Sequence, residues 1–491
     1  MGYVIGCDVG SQSVKVLMMD PDGVEVATAS AACQMSHPAA GWAEQQPVEW
    51  QQALAGAVRE VRSRAGVERE EIDMLALACQ VDGLVAMDAD LNALRPAIIW
   101  LDRRATRQSA TFSSAVGESE LVNRTGLNPD ASHTAPKAMW LRDEEADIYA
   151  RTRWLAPVGA HLNGWLTGEV VQDHANASST LLYDLVTRDW SSQLVELAEL
   201  DGRLLPPIRP ASEVIGTLRP QAAEALDIGP ACRVAVGTGD DHAAALGAAA
   251  LDPGIVVDVT GTAEPVVTPS NEIVLDDERL VETHAHAVEG RLLVENPGFV
   301  SGGSTQWLAQ LFGITQAELF ERAGEAPAGA DGVLFLPCLS GSMAPRWNDR
   351  MRGAFAGLAL SHDLATLARA VLEGCAFALR DIVDRFAALG LAHDQIRVVG
   401  GGSRSPLWLQ IKADVIGRPV WPVEGQFATS TGAAMLAGVA SGCFRDLGEA
   451  AGRCVRLAQE PVLPQASVAQ VYADGYDAYR RLYDGVEGAL A

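Results

Sequence analysis

Two stretches that lie far apart in the chain repeat one local pattern: an apolar strand containing an aspartate, a turn of Gly, Ser or Thr, and a second apolar strand. The first copy places Asp8 before a turn at residues 10–13, and the second places Asp258 before a turn at residues 260–262. Apolar runs bounded by such turn residues predict β-hairpins. The repetition therefore predicts a chain built from two halves, each of which opens with a hairpin.

A second pair of segments supports the duplication, because residues 233–240 and 397–403 each run from an apolar strand into a glycine-rich turn and then toward a helix. Strands that alternate with helices in this way predict an α/β fold with a ligand cleft between the halves. The run Leu251-Asp252-Pro253-Gly254 interrupts the helical pattern between them. We therefore predict domains at residues 1–245 and 246–491. Long helices are predicted at residues 53–64, 305–312, 364–389 and 406–416.

The net charge restricts the partners that the chain can have. The sequence has 37 basic and 63 acidic residues, a formal charge of −26. A field of that sign repels nucleic acids and anionic membranes, so neither is expected as a partner. An anionic ligand would need local backbone NH groups, helix N-termini and a divalent cation to bind.

The sequence predicts a cytoplasmic protein. Its first ten residues lead directly into a strand and lack the basic flank and apolar stretch of a signal peptide. The longest Ala-rich stretch, at residues 243–250, is too short to span a bilayer. Eight scattered cysteines without a CxxC pair indicate buried free thiols in a reducing compartment.

Four loops rich in Gly, Ser and Thr are candidates for phosphate binding. In chain order they contain Ser11, Gln12 and Ser13; Thr260, Gly261 and Thr262; Gly302 and Gly303; and Gly401, Gly402 and Ser403. Such turns can aim backbone NH groups at phosphate oxygens, and a neighbouring carboxylate such as Asp8 can hold Mg²⁺, usually through water. Each loop taken alone is more often an ordinary hairpin turn or tight turn than a phosphate site. The chain contains neither a Walker loop nor GxGxxG, and several dispersed loops are the actin-type arrangement for ATP.

Asp240 and Asp241 follow a Gly-Thr-Gly turn and precede an Ala-rich helix. An aspartate in this position can be a helix N-cap. It can also accept a proton from an incoming hydroxyl group, which is the base that a phosphoryl acceptor needs. The residues alone leave both interpretations open.

The chain resembles the FGGY family of carbohydrate kinases, and within that family it is most similar to the xylulokinases. Residues 132–144 resemble the first family signature and residues 353–373 resemble the second, with further similarity at residues 41–45, 100–104, 239–240 and 400–403. The resemblance implies two actin-like (ribonuclease H-like) α/β domains around a cleft, the first binding sugar and the second binding ATP. It implies Asp240 as catalytic base and Asp8 near Mg²⁺, with ATP held by the four loops. It also implies a substrate site formed by Val81, Asp82, Trp100, Asp102 and Asp241.

Two departures from the xylulokinase pattern leave the acceptor open. Xylulokinases usually have Gln-Met-His-Gly where this chain has Gln80-Val81-Asp82-Gly83, and Asn where it has Asp241. An aspartate accepts hydroxyl hydrogen bonds that a neutral histidine would share between a donor and an acceptor. The expected activity is phosphorylation of a ketopentose such as D-xylulose. Alternatives are another small polyol or sugar, namely an L-ketopentose, a tetritol, glycerol or a sugar acid, or an actin-like ATPase without a sugar acceptor. Relatives of this kind are often homodimers, which makes a homodimer an expectation.

Overall fold

The structure, a computed structural model, describes residues 2–425 and 427–490. Its strands are β1 (Tyr3–Val9), β2 (Ser13–Met19), β3 (Glu25–Ala32), β4 (Glu44–Gln45), β5 (Ile72–Cys79), β6 (Val85–Met87), β7 (Ala97–Ile98), β8 (Trp154–Ala156), β9 (Tyr183–Asp184), β10 (Asp189–Trp190), β11 (Val214–Thr217), β12 (Arg233–Ala235), β13 (Thr238–Gly239), β14 (Ile255–Thr260), β15 (Val266–Ser270), β16 (Glu282–Ala285), β17 (Leu292–Asn296), β18 (Leu334–Leu336), β19 (Ala354–Ala356), β20 (Gln395–Gly400) and β21 (Val420–Pro422).

Its α-helices are α1 (Pro47–Ala65), α2 (Thr106–Val116), α3 (Glu118–Thr125), α4 (Thr134–Glu144), α5 (Ala146–Arg151), α6 (Val158–Thr167), α7 (His174–Ser178), α8 (Ser192–Leu197), α9 (Pro220–Leu226), α10 (Asp240–Gly247), α11 (Gly302–Phe312), α12 (Gln316–Glu325), α13 (Leu364–Ala388), α14 (Pro406–Ile416), α15 (Ala428–Ser441), α16 (Leu447–Cys454) and α17 (Ala469–Leu490). Short 3₁₀ turns lie at Arg69–Glu71, Gly202–Leu204, Ala330–Gly332 and Gly401–Arg404. Across residues 2–425 and 427–490, no helix has both the length and the apolar character that crossing a bilayer requires.

The first half of the chain builds a mixed sheet in the order β11-β12-β5-β1-β2-β3, with β13 also paired to β5. The predicted hairpin is confirmed as β1 and β2, and β3 continues it as a third antiparallel strand, while β1, β12 and β13 run parallel to β5. Helix α1 packs on this sheet through the buried side chains of Trp50, Leu54 and Val58. It begins at Pro47, earlier than predicted, because proline is tolerated in the first turn, where its missing NH has no helical acceptor.

The second half builds another mixed sheet in the order β16-β17-β15-β14-β20-β21. The predicted hairpin is confirmed as β14 and β15, and β14, β20 and β21 are parallel. Helices α13 and α14 match their predicted ranges to within a residue, and each has a side-chain cap from Asp363 or Ser405. The two sheets are thus built to the same plan, each with a hairpin and parallel strands whose ends meet at one edge.

Glycines let α10 and α15 approach closely where the two halves meet. A Cβ atom on Gly432 would lie 2.0 Å from the carbonyl oxygen of Ala243, and one on Gly247 would lie 1.9 Å from that of Ala428. Helix α15, late in the sequence, also packs on β1 of the first sheet. The predicted division at residue 245 falls inside α10, which ends at Gly247, and the domain limits stay a prediction.

Candidate active site

Three parallel strands of the first sheet end together and bring the predicted acidic residues to one edge. Val9 of β1 and Gly239 of β13 are both register partners of Cys79 in β5. Asp8, Asp82 and Asp240 therefore follow or end neighbouring strands, although they are far apart in sequence. The carboxyl ends of parallel strands are where ligands bind in open α/β sheets.

Asp240 is the first residue of α10, and Gly239 occupies the N-cap position. The Asp240 Oδ1 accepts a hydrogen bond from the backbone NH of Asp241 at 3.2 Å. The N-cap interpretation of Asp240 therefore fits less well than the base interpretation. Burial, together with the charges of Asp241 and Asp8, raises the pKa of Asp240 well above its ordinary value. Carboxylates shifted in this way are typical of groups that take up protons during catalysis.

Asp8 is almost completely buried, and its Oδ2 accepts from Lys15 Nζ at 3.2 Å. Burial raises the pKa of Asp8, and Lys15 opposes that shift. Lys15 itself is 41% exposed, so its ammonium group remains accessible beside the loop at residues 11–13. The carboxylate keeps Oδ1 for a further ligand, and an ammonium ion is a common partner of phosphate.

Asp82 has a backbone φ of 59°, a left-handed conformation that is uncommon outside glycine and that clusters at functional sites. Its carboxylate lies 3.3 Å from His133 Nδ1, and its carbonyl oxygen accepts from Lys137 Nζ at 2.6 Å. His133 Nδ1 and Nε2 also face the carbonyl oxygens of Ser179 and Asn128, at 2.8 and 3.1 Å. Carbonyls only accept hydrogen bonds, so the ring must carry both protons. Burial lowers the pKa of His133, but the carboxylates of Asp82 and Glu282 outweigh it and hold that pKa well above its usual value.

The other predicted substrate residues lie close to this edge but differ in what they can contact. Val81 is half-buried, and its Cγ1 lies 2.7 Å from where a Cβ on Gly239 would be, so it packs on the turn before Asp240. Trp100 is half-buried in the turn after β7. Asp102 has no exposed surface, and its carboxylate accepts from the Arg104 guanidinium and from the Ala43 NH. Any contribution of Asp102 to substrate binding therefore runs through the orientation of Arg104.

Three further residues at this edge were missed from the sequence: Glu282, His284 and Glu295. They lie on β16 and β17, and Glu282 is the register partner of Glu295. Burial and the charges of Glu282 and Asp240 raise the pKa of Glu295 to about 8. Glu282 and His284 alternate with Thr283 and Ala285 along β16, and two ionisable residues in a short strand that is buried on both faces were the available signal.

The ends of β14 and β20 bring three of the predicted ATP loops together. Thr260 and Gly400 are register partners, and a Cβ on Gly402 would lie 2.4 Å from Thr260 Cγ2. The NH groups of Gly302 and Gly303 donate to the carbonyl oxygens of Gly261 and Thr262 at 3.1 and 3.0 Å. Those two NH groups are thus used within the protein, and the glycines serve close backbone approach. Gly261, Thr262 and Gly401 remain exposed and available to a ligand.

Lys412 of α14 contacts these loops from the protein interior. It was not predicted from the sequence. It is fully buried, and its Nζ donates to Asp258 and Thr260 at 2.5 Å and to Glu264 at 3.0 Å. Glu264 also accepts from the Ser301 hydroxyl, which precedes the glycines of α11. Burial and the nearby Asp258 raise the pKa of Glu264 to about 8, and Lys412 opposes that shift. One ammonium group thus connects two of the predicted ATP loops.

The lysine content offers a signal for this arrangement. The chain has only three lysines among its 37 basic residues, namely Lys15, Lys137 and Lys412. Each of them contacts a part of the candidate site: Asp8, the carbonyl oxygen of Asp82, or the Asp258–Thr260 turn. Arginine carries the remaining basic functions of the chain. Compact ammonium donors are therefore concentrated at this site.

The remaining predicted ATP loop, at residues 11–13, is connected by hydrogen bonds to the segment that contains Val81 and Asp82. Gln45 Nε2 donates to the carbonyl oxygen of Ser11 at 2.7 Å, and Gln80 Nε2 donates to Gln45 Oε1 at 2.8 Å. Ser11 and Ser13 are half-buried and Gln12 is exposed. Within the described residues, no group of three or more His, Cys, Asp or Glu is arranged to enclose a metal ion. Asp8 fits a magnesium ion that keeps its waters and is held mainly by substrate phosphates.

The comparisons with known proteins agree with this geometry. Residues 3–247 match the N-terminal domain of the FGGY family of carbohydrate kinases, and residues 257–441 match its C-terminal domain. The xylulose kinase of Escherichia coli (strain K12) is 30% identical over 485 residues, 98% of each chain. The glycerol kinase of Thermococcus kodakarensis is 29% identical over 488 residues, 98% of this chain and 97% of the relative.

A solved structure described as a xyloylose kinase from Brucella ovis superposes with a TM-score of 0.88 at 30% identity, covering 99% of this chain and 100% of the other. The predicted fold of two actin-like α/β domains is confirmed by this likeness. With both family domains matched over most of its length, the chain belongs to the FGGY family of carbohydrate kinases.

Proposed function

We propose that this carbohydrate kinase transfers the γ-phosphoryl group of ATP to a hydroxyl of a ketopentose such as D-xylulose. The observation that carries the proposal is the position of Asp240, which heads α10 at the strand edge that also holds Asp8 and Asp82. Asp240 would take the proton of the acceptor hydroxyl as that oxygen attacks phosphorus. The similarity to xylulose kinases supports the ketopentose.

ATP would be bound by the loop at Ser11–Ser13 of the first half together with the loops of the second half that contain Thr260–Thr262, Gly302–Gly303 and Gly401–Ser403. The exposed backbone of Gly261 and Gly401 supports this assignment, as do the closely packed glycines behind it. Asp8 would hold Mg²⁺, which neutralises phosphate charge when it is bound. Lys15, whose side chain is 41% exposed beside Asp8, would contact a phosphate oxygen of the same nucleotide. A cytoplasmic location is part of the proposal, supported by eight unpaired cysteines, while a homodimer stays a prediction.

The direct test is an ADP-release assay with Mg-ATP and a panel of ketopentoses, tetritols, glycerol and sugar acids. We expect ATP turnover that depends on a ketopentose and that stops when EDTA removes the divalent ion. Glycerol or a tetritol as the best acceptor would replace the ketopentose while keeping the kinase. Acceptor-independent ATP turnover would favour the actin-like ATPase instead.

Asp82→Ala is expected to raise KM for the true acceptor by the equivalent of about 1–3 kcal/mol, because a charge-assisted hydrogen bond to a sugar hydroxyl is lost. The effect should fall on KM more than on kcat, since Asp82 does not move the proton. Initial-rate kinetics with the best acceptor of the panel measure it.

Two matched variants separate this contact from other effects of the substitution. Asp82→Asn keeps a side chain that tolerates the left-handed backbone and removes only the charge. Asp90→Ala changes an exposed aspartate on the same segment and should leave the kinetics unchanged. If Asp82→Ala and Asp90→Ala gave the same acceptor profile as the unmodified protein, Asp82 would not contact the acceptor.

A further inference from the structure

Glu282 and Glu295 are an unfavourable pair in structural terms. They are register partners on adjacent antiparallel strands, so their side chains project from the same face of the sheet. Both are nearly buried, with 4% and 5% of their surface exposed. Like charges directly opposite each other destabilise a sheet, and burial makes that repulsion stronger. Proteins keep such local conflicts mainly at functional sites.

The surroundings of the pair show which part of the molecule it serves. Glu282 Oε1 accepts from the Asn128 NH at 2.8 Å and lies 3.8 Å from His133 Nε2, the ring that also contacts Asp82. Glu295 lies against Asp241, the neighbour of Asp240. Burial and then the charge of Glu295 raise the pKa of Asp241 well above its ordinary value, whereas the hydrogen bond with Asp241 opposes the rise in the pKa of Glu295. The pair therefore belongs to the second half of the chain but faces the acceptor edge of the first.

His284, on the same face of the sheet, has a buried nitrogen without a hydrogen-bond partner among the described residues, which is an independent indication of a binding site. Its Nε2 lies 3.9 Å from both Glu282 and Glu295, and the residue is only 6% exposed. Its Nδ1 is buried and has no hydrogen-bond partner within the protein. Buried polar atoms are almost always paired, so an unpaired one beside the acceptor edge indicates a group that is supplied by a bound molecule or water.

The charges around this edge discriminate between classes of acceptor. Asp82, Asp240, Asp241, Glu282 and Glu295 all present carboxyl oxygens. In the described part of the chain, the cations beside them are His133 and Lys137, and both already donate to backbone carbonyls. Sugar hydroxyls can donate to carboxylates, whereas the carboxylate of a sugar acid can only accept. Burial and the crowding of carboxyl groups, which raise the pKa values of Asp240, Asp241 and Glu295, disfavour any further negative charge here, and an anionic acceptor would find no free cationic partner in His133 or Lys137.

We propose that Glu282 and Glu295 complete the acceptor pocket from the second half of the chain and make it selective for neutral polyhydroxy acceptors over sugar acids. This inference rests on the proposed kinase function. It removes the sugar acids from the alternatives that the sequence leaves open, and it assigns specificity to two residues outside both signature segments.

Acceptor binding, measured by titration calorimetry without ATP, tests the pocket separately from turnover. The probes are D-xylulose, xylitol and D-xylonate, which have the same number of carbons and differ in charge. We expect at least one neutral probe to bind about 10²-fold more tightly than D-xylonate, because bringing a further negative charge next to carboxyl groups is unfavourable. Equal or tighter binding of D-xylonate would overturn the proposal. ADP release with the bound probe then tests the kinase function by itself.

Glu295→Gln tests the residue, with Glu321→Gln on the exposed face of α12 as the matched control. Glu295→Gln should weaken binding of the neutral acceptor by about 10-fold, the loss expected when one buried hydrogen bond to the acceptor is removed. Its Tm should be unchanged or higher, because a buried like-charge contact is relieved. Glu321→Gln should change neither quantity. A lower Tm with unchanged acceptor affinity would make Glu295 a structural residue and overturn the proposal.

Discussion

Asp240→Asn is expected to lower kcat by about 10²–10⁴, the usual contribution of a general base. The substitution preserves the size of the side chain and its hydrogen bond to the Asp241 NH, but an amide cannot accept the hydroxyl proton. Acceptor and ATP affinities should change little, since the loops and Asp82 are untouched. Single-turnover kinetics with saturating acceptor measure the effect on the chemical step directly.

Asp241→Asn is the internal control for that measurement, because Asp241 is adjacent to the proposed base but faces Glu295. It should affect acceptor affinity more than kcat. Loss of turnover in Asp241→Asn with activity retained in Asp240→Asn would move the base by one residue. Full activity in both variants would contradict the mechanism at its centre.

The parts of the fold that could be predicted from the sequence are those set by neighbouring residues. Hairpins β1–β2 and β14–β15 follow from Gly, Ser and Thr turns between apolar strands, and α14 follows from its Ser405 cap and Pro406. The convergence of Asp8 and Asp240 was also within reach, since each ends or follows a strand of one sheet. These are local signals with a short physical range.

The parts that could not be predicted depend on contacts between residues distant in the chain. Lys412 meets Asp258 across 154 positions, and an isolated lysine in an apolar helix reads as a surface residue whose stem covers the core. Glu282 and Glu295 become neighbours only when β16 and β17 pair and face the first sheet, so their proximity cannot be predicted from local sequence. The contact of the Asp102 carboxylate with the Arg104 guanidinium is likewise visible only in the structure, and the substrate role of Asp102 stays a prediction.

Lys412→Met is expected to lower the free energy of unfolding by about 3–5 kcal/mol, the usual result of removing one partner from a buried ion pair. Lys412, Asp258 and Glu264 have no exposed side-chain surface, so water cannot replace the lost ammonium group. The loss should be smaller at low pH. Glu264 already has its pKa raised by burial, and without Lys412 it should stay protonated to higher pH. A neutral carboxyl is tolerated in the interior, whereas at high pH its charge would be buried without a partner.

The kinetic consequence of Lys412→Met should be specific for the nucleotide. Lys412 and Glu264 connect the turn at Thr260 to Ser301, so their loss should raise KM for ATP while leaving KM for the acceptor unchanged. Combining Lys412→Met with Asp258→Asn and Glu264→Gln removes the stranded charges and should recover part of the stability, as measured by urea unfolding at pH 6 and pH 8. The KM of the triple variant for ATP should remain raised, because neutral side chains cannot connect the two loops as the ammonium group does. If the single variant unfolded at the same urea concentration as the unmodified protein and kept its KM for ATP, Lys412 would not support the ATP loops.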